Sequence, residues 1–284
     1  MKADALTMTD PVLNISAYVV CRDEENMIEA CIRSLEFCNE IVIVDSGSTD
    51  RTLKIVTALK AEGFPIRLFE REWPGYARQK QFALEQCTSE WCLCLDADER
   101  ADRALVEALP AHLARTDVNA WRIRFVPYLF GYGYAPPAVR NDAILRLSRK
   151  GKAAYDVTRL VHEALQVQGE TGTIEQGRLL HRRALTVGEQ MRKAVNYSEL
   201  KAQQLFNARK GPRRSRLLLN GWLYFLRLYF GRRMFLCGWA GYIQARTVAV
   251  YSFMTEAALL QMYAAEQDRS EPDPDDVFLH PARN

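Results

Sequence analysis

Several kinds of feature are missing from this chain, and each absence narrows what it can be. The opening stretch MKADALTMTDP carries acids and has no apolar segment, so no signal peptide is expected there. Nowhere do about eighteen apolar residues run without interruption, the length a membrane-spanning helix needs. The seven cysteines are an odd count. Cys92 and Cys94 stand two apart in an apolar run, but no second Cys or His pair follows at zinc-site spacing. They therefore read as thiols on one face of a buried strand, and reduced thiols point to the cytosol. A nucleotidyltransferase of α/β topology would want a glycine-rich, basic loop after its first strand, and Cys21-Arg22-Asp23-Glu24 supplies neither property. No internal repeat is found. Between Lys201 and Thr255 there is no Asp or Glu, although ten Lys and Arg lie in that stretch.

With 284 residues, 48% of them hydrophobic, the chain can bury a sizeable core without disulfides. Its net charge of +3 is small in total and uneven in distribution. Apolar runs alternate with helical patterns through the first hundred residues. Leu13–Val20, Ile41–Val44, Ile66–Phe69 and Trp91–Leu95 read as strands; residues 24–37, 51–59, 76–86 and 103–113 read as helices. Continuous apolar strands alternating with helices argue for a buried parallel sheet with right-handed crossovers. On such a sheet ligands bind at the carboxyl ends of the strands.

From Asn119 the pattern changes. Trp121–Val126 and Ala143–Ser148 read as strands around a long aromatic loop, Tyr128–Arg140, and Thr186–Ala208 reads as a helix. The expected organisation is a flexible stretch at 1–12 and a catalytic domain at 13–185, with a nucleotide-binding half at 13–115 and an acceptor half at 116–185. A helical region follows at 186–264, then a disordered tail at 265–284.

The unusual polar residues lie where strands end. Asp96-Ala97-Asp98, directly after the fourth apolar run, sets two carboxylates at a strand terminus, where they can hold a hard divalent cation, Mg²⁺ or Mn²⁺. An acidic turn that merely caps the next helix fits the same residues. Asp45, ending the second strand in Asp45-Ser46-Gly47-Ser48-Thr49-Asp50, can accept hydrogen bonds from a ribose or a nucleobase. Helix capping accounts for Ser48 to Asp50 but gives no reason for Asp45. Arg78 and Lys80 open a helix after the Gly75 turn, which suits a diphosphate. Arg146 and Arg149 are three apart on one strand, so at most one of them faces the site.

Taken in order, Cys21-Arg22-Asp23-Glu24-Glu25-Asn26, Val44-Asp45-Ser46-Gly47-Ser48-Thr49-Asp50 and Leu95-Asp96-Ala97-Asp98-Glu99 resemble the three linked motifs of the family 2 glycosyltransferases. That resemblance implies an α/β fold of the GT-A kind, Rossmann-like with a mostly parallel sheet, and an inverting enzyme that uses a nucleotide-sugar. Within the family the chain is most similar to bacterial lipopolysaccharide-core β-glucosyltransferases. The similarity runs through Trp73–Lys80, Ile144–Gly151, Val161-His162-Glu163, Leu179-Leu180-His181 and Gly238–Tyr242. Asp23 stands where Asn is usual, Ser46 where many members have a second Asp, and the Tyr128–Arg140 loop departs from the family pattern.

Carried over by position, Asp23, Glu24 and Asp45 would contact the nucleotide-sugar, with Asp45 at the uridine. Asp96 would meet the ribose or the metal, and Asp98 would bind the metal on the diphosphate. Inverting transfer needs a base, for which Glu163 is the candidate and Asp142 and Asp156 the alternatives. His162 or His181 could complete the metal shell, with His181 preferred, although a lone histidine is more often structural.

The basic stretch 209–246 interleaves arginines with LLLNGWLYFLRLYF, which describes a helical surface lying in anionic lipid headgroups. A buried hairpin or a homo-oligomer interface is the second reading, and the bulky aliphatics argue against nucleic acid. The expected function is transfer of a hexose, with glucose first, from a UDP-sugar to a lipopolysaccharide-core or other lipid-linked saccharide. It would occur on the inner face of the bacterial cytoplasmic membrane. Transfer to a polyprenyl phosphate, or a nucleotide-sugar-binding module without activity, are the alternatives.

Overall fold

The computed structural model describes residues 12–157, 165–183 and 185–268, which form two units. The first runs to Tyr128 and resumes at Tyr132–Ala184; the second comprises Leu129–Gly131 and the chain from Leu185.

The first unit is built on β1 (Leu13–Cys21), α1 (Ile28–Arg33), β2 (Cys38–Asp45), α2 (Thr52–Ala61), β3 (Ile66–Glu70), α3 (Tyr76–Gln86) and β4 (Trp91–Asp96). After them come β5 (Glu99–Ala101), α4 (Arg103–Leu113), β6 (Ala120–Leu129), β7 (Gly133–Tyr134), β8 (Ala143–Arg149), β9 (Ala153–Tyr155), β10 (Leu165–Val167) and β11 (Thr171–His181). The main sheet has the order β3-β2-β1-β4-β8-β6-β11-β5, with β7 beside β6. β1, β2, β3 and β4 pair in parallel, whereas β8 runs antiparallel to both β4 and β6. β9 and β10 form a separate antiparallel ribbon.

Alternate residues of the central strands feed two cores, because successive side chains leave a strand on opposite faces. Ile15, Ala17, Val19, Ile41, Ile43, Leu93 and Leu95 pack with Ile28, Ile32, Val56, Leu105 and Leu109. Tyr18, Val42, Val44, Cys92 and Cys94 pack with Ala77, Ala83 and Leu84 of α3. Burial on both faces explains why these strands read as unbroken apolar runs. Cys92 and Cys94 share one face, as expected, and all seven cysteines are buried and free.

The mixed α/β architecture is the one expected. The first helix is shorter than expected, however. Asp23 takes a left-handed φ of 53°, and the backbone N–H groups of Glu24 and Glu25 donate to Thr52 and Asp50, so Glu24–Asn26 stay out of the helix. The expected 128–140 loop is partly strand, since β6 continues to Leu129 and β7 pairs with it.

The second unit is helical: α5 (Val187–Asn207), α6 (Arg214–Leu226) and α7 (Gly238–Asp268), with a π-helical turn at Arg227–Gly231 and a 3-10 turn at Met234–Cys237. A Thr186/Glu189 capping box opens α5. α7 extends into the stretch read as a tail. Among the described residues no helix is long and apolar enough to cross a membrane.

Candidate active site

The four parallel strand ends lie level with one another. Cys21 pairs with Asp45, Asp45 with Glu70, and Val20 with Asp96. Asp45 and Asp96 therefore stand two strand spacings apart, about 10 Å. A cleft of about 550 Å³ opens at the β1–β3 end of this edge, lined among others by Arg22, Gly47, Arg71 and Trp73. That volume suits a nucleotide-sized ligand.

The first two motifs lock together. Asp23 N–H donates to Ser48 Oγ at 2.9 Å, and Thr49 N–H donates to Asp23 Oδ1 at 2.7 Å. Glu25 accepts from Arg51, and Asp50 accepts from Glu25 N–H and from Thr52. Asp45 is buried and accepts from the backbone N–H groups of Gly47 and Ser48 at 2.9 and 2.8 Å, as well as from the Ser48 hydroxyl. Gly47, at φ 86°, makes that turn. The carboxylate thus has a local duty, closing the turn that forms one wall of the cleft, which motif reasoning alone did not supply.

At the other end of the edge, Asp96 is clamped by two cations. Lys80 Nζ lies 2.9 Å from Asp96 Oδ1, and Arg146 Nη2 donates to Asp96 Oδ2 at 2.8 Å and to Glu99 Oε1 at 2.5 Å. Glu99 also accepts from Asp96 N–H at 3.0 Å. Burial alone would raise the Asp96 carboxyl's pKa, but Arg146 and Lys80 hold it far below the usual range. Burial raises the carboxyl of Glu99 in spite of Arg146. Lys80 is nearly buried and points at Asp96, while Arg78 is exposed. Arg146 faces the site, and Arg149 instead pairs with Glu90 and lies over the Trp91 ring.

Asp98 meets the end of β11. Arg183 Nε donates to Asp98 Oδ2 at 2.8 Å, His181 Nε2 lies 3.4 Å from the same oxygen, and Arg183 also grips both oxygens of Glu24. Register explains this meeting: β5 pairs antiparallel with β11, His181 opposite Glu99, and Arg182 N–H bonds to Asp98 C=O at 2.8 Å. Burial works to raise the Asp98 carboxyl, and His181 and Arg183 outweigh it, so the net shift is downward. His181 shifts upward although its burial opposes the charge, chiefly through Asp98. Burial raises Glu24 more than Arg183 lowers it.

The structure therefore brings Asp96, Asp98, His181, Lys80 and Glu24 into one charged cluster, and ties Asp45 and Asp23 to the turn at 47–49, of which Gly47 lines the cleft. Asp142 is exposed at the head of β8 and Asp156 half-buried after β9; both have partners. Glu163 and His162 lie outside the described residues. Sequence reasoning missed Arg183, Glu99 and the direction of Arg146. The available signal was an arginine in the middle of a strand bound for the interior, which demands buried carboxylates as partners.

No group of three or more metal-ligating side chains is gathered among the described residues. Asp98 with His181 nevertheless fits a hard divalent cation, because such an ion at a nucleotide takes one or two protein ligands and fills its shell with phosphate oxygens and water.

Open α/β sheets of this Rossmann-like kind take their ligands at the carboxyl edge, where this one gathers carboxylates and cations. The model of the family "Glycosyl transferase family 2" matches residues 16–157. The lipopolysaccharide core biosynthesis glycosyltransferase LpsC of Rhizobium meliloti is 47% identical over 271 residues, covering 95% of this chain and 99% of the relative. An uncharacterized glycosyltransferase of Rickettsia typhi, RT0209, is 26% identical over 87% of each chain. Among solved structures, Staphylococcus aureus TarS (residues 1–349) superposes with a TM-score of 0.48 at 14% identity, over 90% of this chain and 92% of that one. The chain belongs to glycosyl transferase family 2 and is a glycosyltransferase.

Proposed function

We propose that this enzyme transfers a hexose, with inversion, from a UDP-sugar to a saccharide of the lipopolysaccharide core or a similar lipid-linked acceptor. The observation that carries the reading is the pairing of a nucleotide-sized cleft beside Asp45 with the Asp96–Asp98 cluster about 10 Å along the same strand edge. The 47% identity to LpsC, named for lipopolysaccharide core biosynthesis, supports the acceptor class. Uridine would sit in the cleft against Arg22, Gly47 and Arg71, and the diphosphate would run towards Asp98, with Arg78 and Lys80 adding positive charge.

Asp98 and His181 would hold Mg²⁺ or Mn²⁺, and Asp96, aimed by Lys80 and Arg146, would serve the ribose or the same ion. A bound cation neutralises charge that gathers on the diphosphate as it leaves. Arg183, whose Nε donates to Asp98 Oδ2, would release that oxygen to a bound cation and turn its guanidinium to the diphosphate. The acceptor hydroxyl oxygen attacks the anomeric carbon from the face opposite the diphosphate. The bond from that carbon to the phosphate oxygen breaks, and the hydroxyl proton passes to a carboxylate. Glu163 is the proposed base, with Asp142 and Asp156 the alternatives.

The test is a transfer assay with a panel of UDP-hexoses and a lipopolysaccharide-core acceptor, read by product mass and anomeric configuration. Product of inverted configuration is expected from one donor. The Glu163→Gln variant is expected to bind that donor normally and lose about 10²–10⁴-fold in kcat. Retained configuration rejects the mechanism, and full activity in Glu163→Gln rejects the base.

A further inference from the structure

The second unit presents a surface that transfer chemistry does not use. On α6, Leu218, Leu219, Trp222, Leu223 and Leu226 are all exposed, Leu218 at 72%, Trp222 at 59% and Leu223 at 60%. At 100° per residue these five positions fall within a sector of about 140° on one side of the helix. The opposite preference holds in an ordinary surface helix, whose outward sector is polar.

The inward side of α6 is already used: Phe225 is buried against Ala245 and Ala249 of α7, flanked by Leu228 and Tyr229. Ring contacts continue the patch, with Trp222 on Phe225, Phe225 on Tyr242, and Tyr242 on Trp239, which is 79% exposed. Phe230 and Phe235, both exposed, meet beside it.

The charge around this patch has one sign. Arg213, Arg214, Arg216, Arg227, Arg233 and Arg246 are exposed on the same segments. No acid occurs from Lys201 to Thr255, and the next one, Glu256, is buried and paired with Arg216. Arg246 lies over the Trp222 ring at 5.0 Å, so a cation and an apolar ring share one spot on the surface.

We infer that the outward face of α6, the π and 3-10 turns and the start of α7 docks on an anionic phospholipid bilayer, leucines and tryptophans in the acyl boundary and arginines among the headgroups. Interfacial tryptophans flanked by arginines, on helices of which none is both long and apolar enough to span, are what such a layer selects. A second copy of the chain fits poorly, because a two-fold interface would set this uniformly basic face against itself. Nucleic acid would leave the leucine stripe in water. The inference rests on the second unit alone and holds whether or not the proposed donor and acceptor are correct.

Flotation of the full chain with vesicles, without donor or acceptor, tests it. Recovery with vesicles of phosphatidylcholine and phosphatidylglycerol is expected to exceed that with phosphatidylcholine alone by at least about tenfold near 0.1 M salt. The excess should shrink at 1 M, where the screening length falls to about 3 Å. A Leu218→Ser, Trp222→Ser, Leu223→Ser variant is expected to stay folded by circular dichroism, since these side chains are exposed, and to lose at least tenfold in recovery. An R213Q, R214Q, R227Q, R233Q variant is expected to lose the anionic preference. Absence of flotation, or equal recovery on neutral and anionic vesicles, overturns the inference. So does a shift in sedimentation of the triple variant from dimer to monomer with lipid recovery unchanged, which assigns the face to a second copy.

Discussion

Glu40 shows how single residues hold the sheet at the end away from the site. It is buried, and it accepts from the Ser16 hydroxyl, from Arg67 Nη1 at 2.5 Å, and from Thr88 N–H and Oγ1 at 2.8 and 3.0 Å. Burial by itself would raise its pKa, yet these donors, Ser16 first, bring it below the ordinary glutamate value. A carboxyl lowered on folding adds stability that is fully present above its unfolded pKa and is lost as pH falls through the folded one. Glu40→Gln should therefore cost about 1.5–3 kcal/mol at pH 7, the range for hydrogen bonds to a charged group. In denaturant titrations the gap between the two proteins should begin to close as the pH drops below the ordinary glutamate value and be gone below the lowered folded one. A gap that is constant with pH would mean that the charge on Glu40 contributes nothing. Lys80 and Arg146 perform the corresponding service at the active edge by fixing Asp96 between two buried cations.

Among elements, β11 has the tightest demand on its sequence. Gly177 has φ 75°, and a Cβ there would lie 2.1 Å from the backbone nitrogen of Leu105 in α4. Only glycine allows β11 to bulge onto the start of that helix, where Asp102 accepts from Leu105 N–H and Arg178 N–H. Gly177→Ala is expected to lose about 2–4 kcal/mol, overpacking and left-handed strain together, and to show a lower denaturation midpoint. An unchanged midpoint would show that β11 shifts freely. The same bulge explains why this strand was not legible in the sequence: only Ile174 and Leu179 along it are strongly buried apolar residues, on either side of a break in register. In contrast, β1, β2 and β4 are buried on both faces and were legible as unbroken apolar runs, with α3 and α4 found at their observed ends. β5, β9 and β10 are three residues each, too short for any periodicity to register. Motif spacing pointed to Asp45, Asp96 and Asp98. It could not reveal Glu99 and Arg183, whose partners lie 47 and 159 residues away along the chain.

At the scale of the whole molecule, a sheet that concentrates ionised groups along one edge is combined with a helical unit that exposes leucines, tryptophans and arginines outside its own small apolar core. The first arrangement would serve the proposed nucleotide-sugar donor, and the second the proposed docking on lipid. The account turns on Asp98, where the edge of the sheet would receive the cation and the diphosphate. Calorimetric titration with UDP tests this most directly, using the native enzyme with Mn²⁺, the native enzyme in excess chelator, and Asp98→Asn with Mn²⁺. The expected result is binding in the first case and affinity at least about tenfold weaker in the other two, equivalent to about 1.4 kcal/mol or more, with circular dichroism unchanged. Equal UDP affinity in all three would contradict the claim that Asp98 holds the donor through a divalent cation.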